Sequence, residues 1–245
     1  MLILYSLIAV IILCLAHIFV HKLKLTNLPR HKWLSVAGGI SVAYIFLEAF
    51  PELHEIQQEL NHSERFNIGS VAEMEVYLLS LIGLTVFYGL ENISKKSKQS
   101  KRESNGEEKK NIKIFWIHIF SFTLYNFIIG YLLLNREEQG LLSILLYTVA
   151  MSFHFVVTDH ALESHYSRNY QKYGRWLLVC AIFLGWLSST LFSIPEFFIG
   201  ILFSFLAGGI IMNVLKEELP SERESNLPAF CLGIFGYGTI LVLIH

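Results

Sequence analysis

Val36-Ala37-Gly38-Gly39-Ile40 leads into Glu48-Ala49-Phe50-Pro51-Glu52, and Leu206-Ala207-Gly208-Gly209-Ile210 leads into Glu217-Glu218-Leu219-Pro220-Ser221-Glu222. Each stretch carries AGGI within an apolar block. Each also has a glutamate three residues before a proline that is expected to close the helix. From the second glycine to the proline the spacing is 12 residues in one and 11 in the other. The block that follows contains glycines in both cases: Gly83 and Gly89 after the first, Gly233, Gly236 and Gly238 after the second. Two unrelated helices that use small residues to approach their neighbours in lipid would also carry such glycines. The shared glutamate and proline favour a repeat.

Eight apolar segments surround these landmarks, at about 2–20, 33–50, 74–91, 114–134, 140–159, 176–194, 197–215 and 229–244, each near the length that crosses a bilayer. The composition agrees. Of 245 residues, 53% are hydrophobic and 16% charged, with a mean hydropathy of +0.50, against roughly 25% charged in a soluble domain. Disordered chains, coiled coils and ordinary soluble enzymes are excluded, and an all-α integral membrane protein with eight transmembrane helices is expected. The AGGI blocks are the second and seventh spans. Spans 1–3 and 6–8 therefore read as copies separated by spans 4 and 5. The offset of five spans is odd, so the copies lie in the membrane with opposite orientation, as a 3+2+3 inverted repeat. Inverted repeats are typical of secondary transporters, whose substrate site lies near the midplane where the repeats meet. The chain divides accordingly into a first three-helix repeat (1–92), a flexible basic cytoplasmic loop (93–112), a central helix pair (113–172) and a second, inverted three-helix repeat (173–245).

Basic residues set the orientation. A cleavable signal peptide begins with basic residues, whereas here the first is Lys22, after the first apolar block. With the first loop inside, the inner loops hold 17 of the 19 Lys and Arg: Lys22, Lys24, Arg30 and Lys32, eight between Lys95 and Lys113, then Arg168, Lys172, Arg175, Lys216 and Arg223. Only Arg65 and Arg136 fall outside. The positive-inside rule then places both termini outside, in a plasma membrane or bacterial inner membrane. The basic stretch from Ile93 to Asn111 reads as a solvated loop, with contact to anionic lipid as the alternative. The outer loop from Pro51 to Glu75 is acidic, and reads either as a collector of cations or as a soluble cap. A net charge of −1 gives no sign of a nucleic-acid partner. Cys14, Cys180 and Cys231 all lie in apolar blocks, as buried small hydrophobes rather than a disulfide framework.

These residues resemble the ZIP family of divalent-metal transporters, in layout over nearly the whole chain and in residues over spans two, four and seven. The family's span two ends like H-L-L-P-E, and Glu48-Ala49-Phe50-Pro51-Glu52 takes that place. Tyr125-Asn126-Phe127-Ile128-Ile129-Gly130 aligns with an H-N-x-x-D-G-like motif of span four, keeping Asn126 and Gly130. His154-Phe155-Val156-Val157-Thr158-Asp159 aligns with H-E-x-P-E-G of span five, keeping the histidine. Tyr125 and Ile129 stand in place of a histidine and an acid, and Phe155 and Thr158 in place of two glutamates. The resemblance implies a divergent member with a degraded metal site. It further implies that any remaining site holds one metal rather than two. A homodimer is implied by the resemblance and suits the glycine-rich faces, though no residue fixes it.

A divalent cation in lipid needs anionic or imidazole ligands to replace its hydration shell. Span five clusters them: His154, Asp159, His160, Glu163 and His165. At about 100° per residue, His154, Thr158 and His165 share one face. Asp159 and Glu163 lie nearly opposite, with His160 beside them. His154 is the deepest and reads either as a ligand or as a hydrogen-bonded interior histidine. The others read as ligands or as a polar inner helix end. Glu48, with Glu52 beyond it, is an entrance candidate that could equally reach water, and His118 lies near the inner end of span four. Asn126 is mid-span, where an amide bonds across helices. The expected metal ligands are His154, Asn126, Asp159 and Glu48, with Thr158, His160, Glu163, His165, Glu52 and His118 as secondary candidates. Three functions fit. The first is ZIP-like transport of zinc or another divalent cation toward the cytoplasm through a remodelled single-metal site, with the cation as substrate and no prosthetic group. The second is a ZIP-fold partner or regulatory subunit that has lost transport. The third is a membrane-embedded metallohydrolase using His154, Asp159, His160, His165 and His118. The partners expected are the divalent cation and the lipid bilayer.

Overall fold

In the computed structural model, which describes residues 2–19, 30–62, 74–103, 108–135, 140–218 and 226–244, every regular element is helical. In order they are α1 (Leu2–Phe19), α2 (Arg30–Tyr44), a π turn (Ile45–Ala49), α3 (Phe50–His62), α4 (Glu75–Glu103), α5 (Glu108–Leu132), α6 (Leu141–Asn169), a second π turn (Tyr170–Gly174), α7 (Arg175–Leu191), α8 (Glu196–Glu218) and α9 (Leu227–Ile244). Eight segments of this series are long and apolar enough to cross a membrane, as expected: Leu2–Phe19, Lys32–Leu60, Glu75–Ile93, Ile114–Leu132, Leu141–Ser164, Tyr166–Leu191, Phe197–Lys216 and Leu227–Ile244. The outer faces are apolar as well. Ile3, Leu4 and Ile8 on α1 and Leu232, Phe235, Val242 and Leu243 on α9 are all exposed, a pattern that suits lipid rather than water as the surrounding solvent.

Three boundaries differ from the sequence expectation. The helix does not close at Pro51. The Phe50 N–H reaches back five residues to the Ile45 carbonyl, which makes the π turn, and Pro51 then falls in the first turn of α3, where a missing N–H is tolerated. The second span thus runs on to Leu60. The counterpart Pro220 lies outside the described residues. The basic stretch at 93–112 is also mostly helical, because α4 continues to Glu103 and α5 starts at Glu108. Lys, Glu and Gln are good helix formers, so an apolar helix can be prolonged into water by them. Lastly, spans five and six are separated by a kink instead of a loop. Tyr166 alone leaves helical dihedrals (φ −132°, ψ 25°) inside α6. In the acidic outer loop, residues 63–73 lie outside the described residues, as do Lys22, Lys24, Arg136 and Arg223.

The most extensive pairings are α5 with α7, α2 with α9 and α4 with α8, followed by α1 with α6 and α7. Each of the first three is made at facing glycines. A Cβ on Gly130 would strike the Ile182 carbonyl, and one on Gly185 the Phe127 carbonyl. Gly39 and Gly233 meet backbone of each other's helices in the same way, as do Gly83 and Gly208. Close approach of backbones is how helices gain dispersion contact where lipid offers no hydrophobic drive. The core of Tyr44, Tyr147, Phe115, Phe155 and Phe203 lies between these pairs. Residues are buried around much of α6 beyond its exposed first turn, including Tyr147, Ala150, Met151, His154, Phe155, Asp159 and Leu162, so its middle is enclosed by neighbouring helices.

Candidate functional site

On α1, Ser6, Val10, Leu13 and His17 form one buried stripe. The helical period therefore turns His17, in an otherwise apolar span, toward the bundle interior. There it meets α5 and α6. His17 Nδ1 lies 2.7 Å from Asp159 Oδ2 and His17 Nε2 lies 2.8 Å from Asn126 Oδ1. The exposures of His17, Asn126 and Asp159 are 2%, 2% and 0%. Phe155 stacks on the imidazole, with centroids 4.2 Å apart and planes 25° apart.

The protons in this cluster follow from its connectivity. The Asn126 amide N–H donates to the Phe122 carbonyl at 2.8 Å, so its oxygen is the atom presented to His17. His17 Nε2–H must then donate to it. The other ring nitrogen faces a carboxylate oxygen. With Asp159 ionised, both nitrogens carry protons and the pair is an imidazolium–carboxylate ion pair, net neutral within the apolar bundle. The Tyr170 hydroxyl lies near the Asp159 carboxylate, whose second oxygen, Oδ1, has no hydrogen-bond partner among the described residues. Tyr170 reaches this position because α6 kinks at Tyr166, four residues earlier.

A second group adjoins the first. Tyr125 Oη is 2.9 Å from His154 Nε2, and Thr158 Oγ1 is 3.4 Å from the same nitrogen. His154 is 1% exposed and near enough to His17 for the two rings to interact electrostatically. Its Nδ1 has no hydrogen-bond partner among the described residues. His154 and Asp159 therefore face different neighbours, α5 and α1 respectively. Both are interior because α6 is enclosed.

The remaining candidates lie elsewhere. Glu48 is buried in the first π turn and Glu52 is buried one turn further on, in α3. The bonds described above for His17, Asn126, Asp159 and His154 run among α1, α5 and α6. His118 Nδ1 lies 3.3 Å from the Tyr166 hydroxyl, close to an ion pair of Lys216 with Glu91 at 2.8 Å. Glu163 accepts a hydrogen bond from Gln171 at 2.7 Å, and His160 is half-buried. His165 is on α6, but its side chain lies outside what is described. Among the described residues, no three His, Cys, Asp or Glu side chains converge as a ready metal site. His17, the residue that joins Asn126 to Asp159, was not among the sequence candidates. The signal for it was its isolation, since an ionisable group inside a transmembrane segment is costly and marks a function or a partner.

No family model matches the chain, and neither curated proteins nor solved structures give a match.

Proposed function

We propose that this chain is a ZIP-like carrier that moves one divalent cation of the zinc type toward the cytoplasm, with Asp159 as the anionic ligand and Asn126 and His154 completing the site. Asp159 carries the reading. It is a carboxylate buried where three membrane helices meet, with His17 as its partner in this structure, and ionisable groups inside membrane spans mark ion pathways. Two further observations support the resemblance. Tyr125 and His154, which occupy ligand positions in the aligned motifs of spans four and five, touch each other. The helix pairings suit a 3+2+3 inverted repeat. Exchanging spans 1–3 with 6–8, and 4 with 5, maps the α2–α9 pair onto α8–α4 and the α1–α6 pair onto α7–α5, and all four pairs are present. One glycine of each AGGI segment, Gly39 and Gly208, sits at the corresponding crossing. In this reading both termini face outward, and the repeats rock about the central pair to open the site alternately.

The test is cadmium or zinc uptake by proteoliposomes containing the purified chain. Uptake should be lost in Asp159→Asn and in His154→Ala, and only slowed in Glu163→Ala, whose carboxylate is already bonded to Gln171 nearer the helix end. Full uptake by Asp159→Asn and His154→Ala would sink the proposal. A second reading, a ZIP-fold subunit without transport, is favoured by one feature: Asn126, Asp159 and His154 are already hydrogen-bonded within the protein. It predicts no uptake by the unaltered chain.

A further inference from the structure

A carrier whose site contains a carboxylate meets a difficulty when it is empty. Once the cation has left, the carboxylate must pass back through an occluded state with nothing to neutralise it, and an unpaired buried charge is strongly disfavoured. Such a carrier would release its cargo and then stall.

The environment of Asp159 contains an answer. His17 sits between the two oxygens that the cation reading assigns as ligands, Asp159 Oδ2 at 2.7 Å and Asn126 Oδ1 at 2.8 Å. Both oxygens are acceptors, and an imidazolium presents one N–H to each. Phe155 holds the ring flat against its face. The ring comes from α1, which packs on both α6 and α7 and so touches elements of both halves of the bundle. The gap it fills, two hydrogen bonds wide plus the ring itself, exceeds two bare cation–oxygen contacts of about 2.0–2.2 Å. A cation entering there keeps water on one side.

We propose that His17 is a tethered counter-cation, whose imidazolium holds between Asp159 and Asn126 the place that the transported cation takes. It swings aside when the cation binds and returns when the cation leaves. The empty carrier thus crosses its occluded state as a neutral ion pair. The proposal rests on the carrier reading for its kinetic consequence but not for its binding consequence.

The experiment compares the unaltered protein, His17→Gln and the double variant His17→Gln/Asp159→Asn, using Cd2+ alone as the probe. Without the competing imidazolium, His17→Gln should bind Cd2+ about tenfold or more tightly than the unaltered protein, and the double variant should lose that gain. In proteoliposomes, net uptake into cation-free vesicles should fall about tenfold in His17→Gln, because the empty return is blocked. Exchange of external Cd2+ against vesicles preloaded with Cd2+ should be slowed much less than net uptake, because the loaded carrier needs no counter-cation. Unchanged binding in His17→Gln, a gain that survives Asp159→Asn, or net uptake and exchange falling together would each overturn the proposal. Should His17→Gln not fold, nitrogen NMR of histidine-labelled unaltered protein decides. One buried histidine with both ring nitrogens protonated is expected before Cd2+ is added, and a bare nitrogen on His17 overturns the assignment. If the unaltered chain takes up no cation while His17→Gln gains binding, the carrier reading fails and the tether stands.

Discussion

His17 and Asp159 are worth little to the fold singly and a great deal as a pair. Removing one partner strands the other in an apolar interior, so Asp159→Ala should destabilise the protein by about 3–5 kcal/mol, read as a fall in thermal or denaturant midpoint in detergent. Replacing both with neutral hydrogen-bonding residues removes the stranded charge, so His17→Gln/Asp159→Asn should be markedly more stable than the sum of the single changes predicts. Additive losses would mean that the two groups are not ion-paired. The Tyr125–His154 contact offers a smaller test. Tyr125→Phe leaves a buried imidazole nitrogen without its hydroxyl neighbour and should cost about 1–3 kcal/mol in the same assay. No change would mean that the nitrogen is satisfied from elsewhere.

At the scale of helices, stability depends on where glycines sit, not on how many there are. Gly185 meets the Phe127 carbonyl and Gly130 the Ile182 carbonyl, whereas Gly89 on α4 has nothing within 4 Å of an added Cβ. Gly185→Ala must therefore push α7 off α5 and should destabilise by several kcal/mol, since backbone cannot rotate away as a side chain can. Gly89→Ala only exchanges a flexible residue for a better helix former and should be neutral or stabilising by up to about 1 kcal/mol. Parallel melting curves of the two variants check this, and equal losses would contradict the crossing. The first π turn makes a different prediction. It contains one residue more than an α-turn, so deleting exposed Phe46 should restore a plain helix and leave the register of α3 nearly unchanged. Glu52 should then stay in the interior, seen as a cysteine at position 52 that resists labelling in the deletion variant as in the undeleted chain.

At the scale of the whole molecule, the testable property is topology. Applied to seventeen basic residues on one side against two on the other, the positive-inside rule predicts the 93–111 stretch inside and the acidic 51–75 stretch outside. In a chain whose Cys14, Cys180 and Cys231 are replaced by serine, a cysteine at Ser100 should resist an impermeant label added to intact cells, and one at Asn61 should react. The opposite pattern would reverse the orientation and with it the proposed direction of transport. Helical continuation of α4 to Glu103 does not alter this expectation, because the charges on that helix are what keep it from crossing.

What the sequence determined by itself is the part of the structure governed by local chemistry. Eight blocks of apolar residues of spanning length can only be helices in lipid, where each must satisfy its own backbone. The eight segments of the structure fall where those blocks were read. Asn126, Asp159 and His154 were also legible as interior polar groups, because each is conspicuous in an apolar run. The tertiary structure alone decided what they face. Wheel geometry puts His154 and Asp159 on nearly opposite faces of α6, which predicts that they meet different neighbours. Both are buried because neighbours surround α6, a fact about packing that no single helix records. His17 lies more than 100 residues from both partners, and the oxygens its ring nitrogens face are known only once the three helices are packed. The helix at Pro51 failed to end for a similar reason. A proline forbids one hydrogen bond, but the chain supplied a different one, from Phe50 to Ile45. Composition and periodicity set which groups had to be buried, and the three-dimensional meeting of α1, α5 and α6 set which charge answers which.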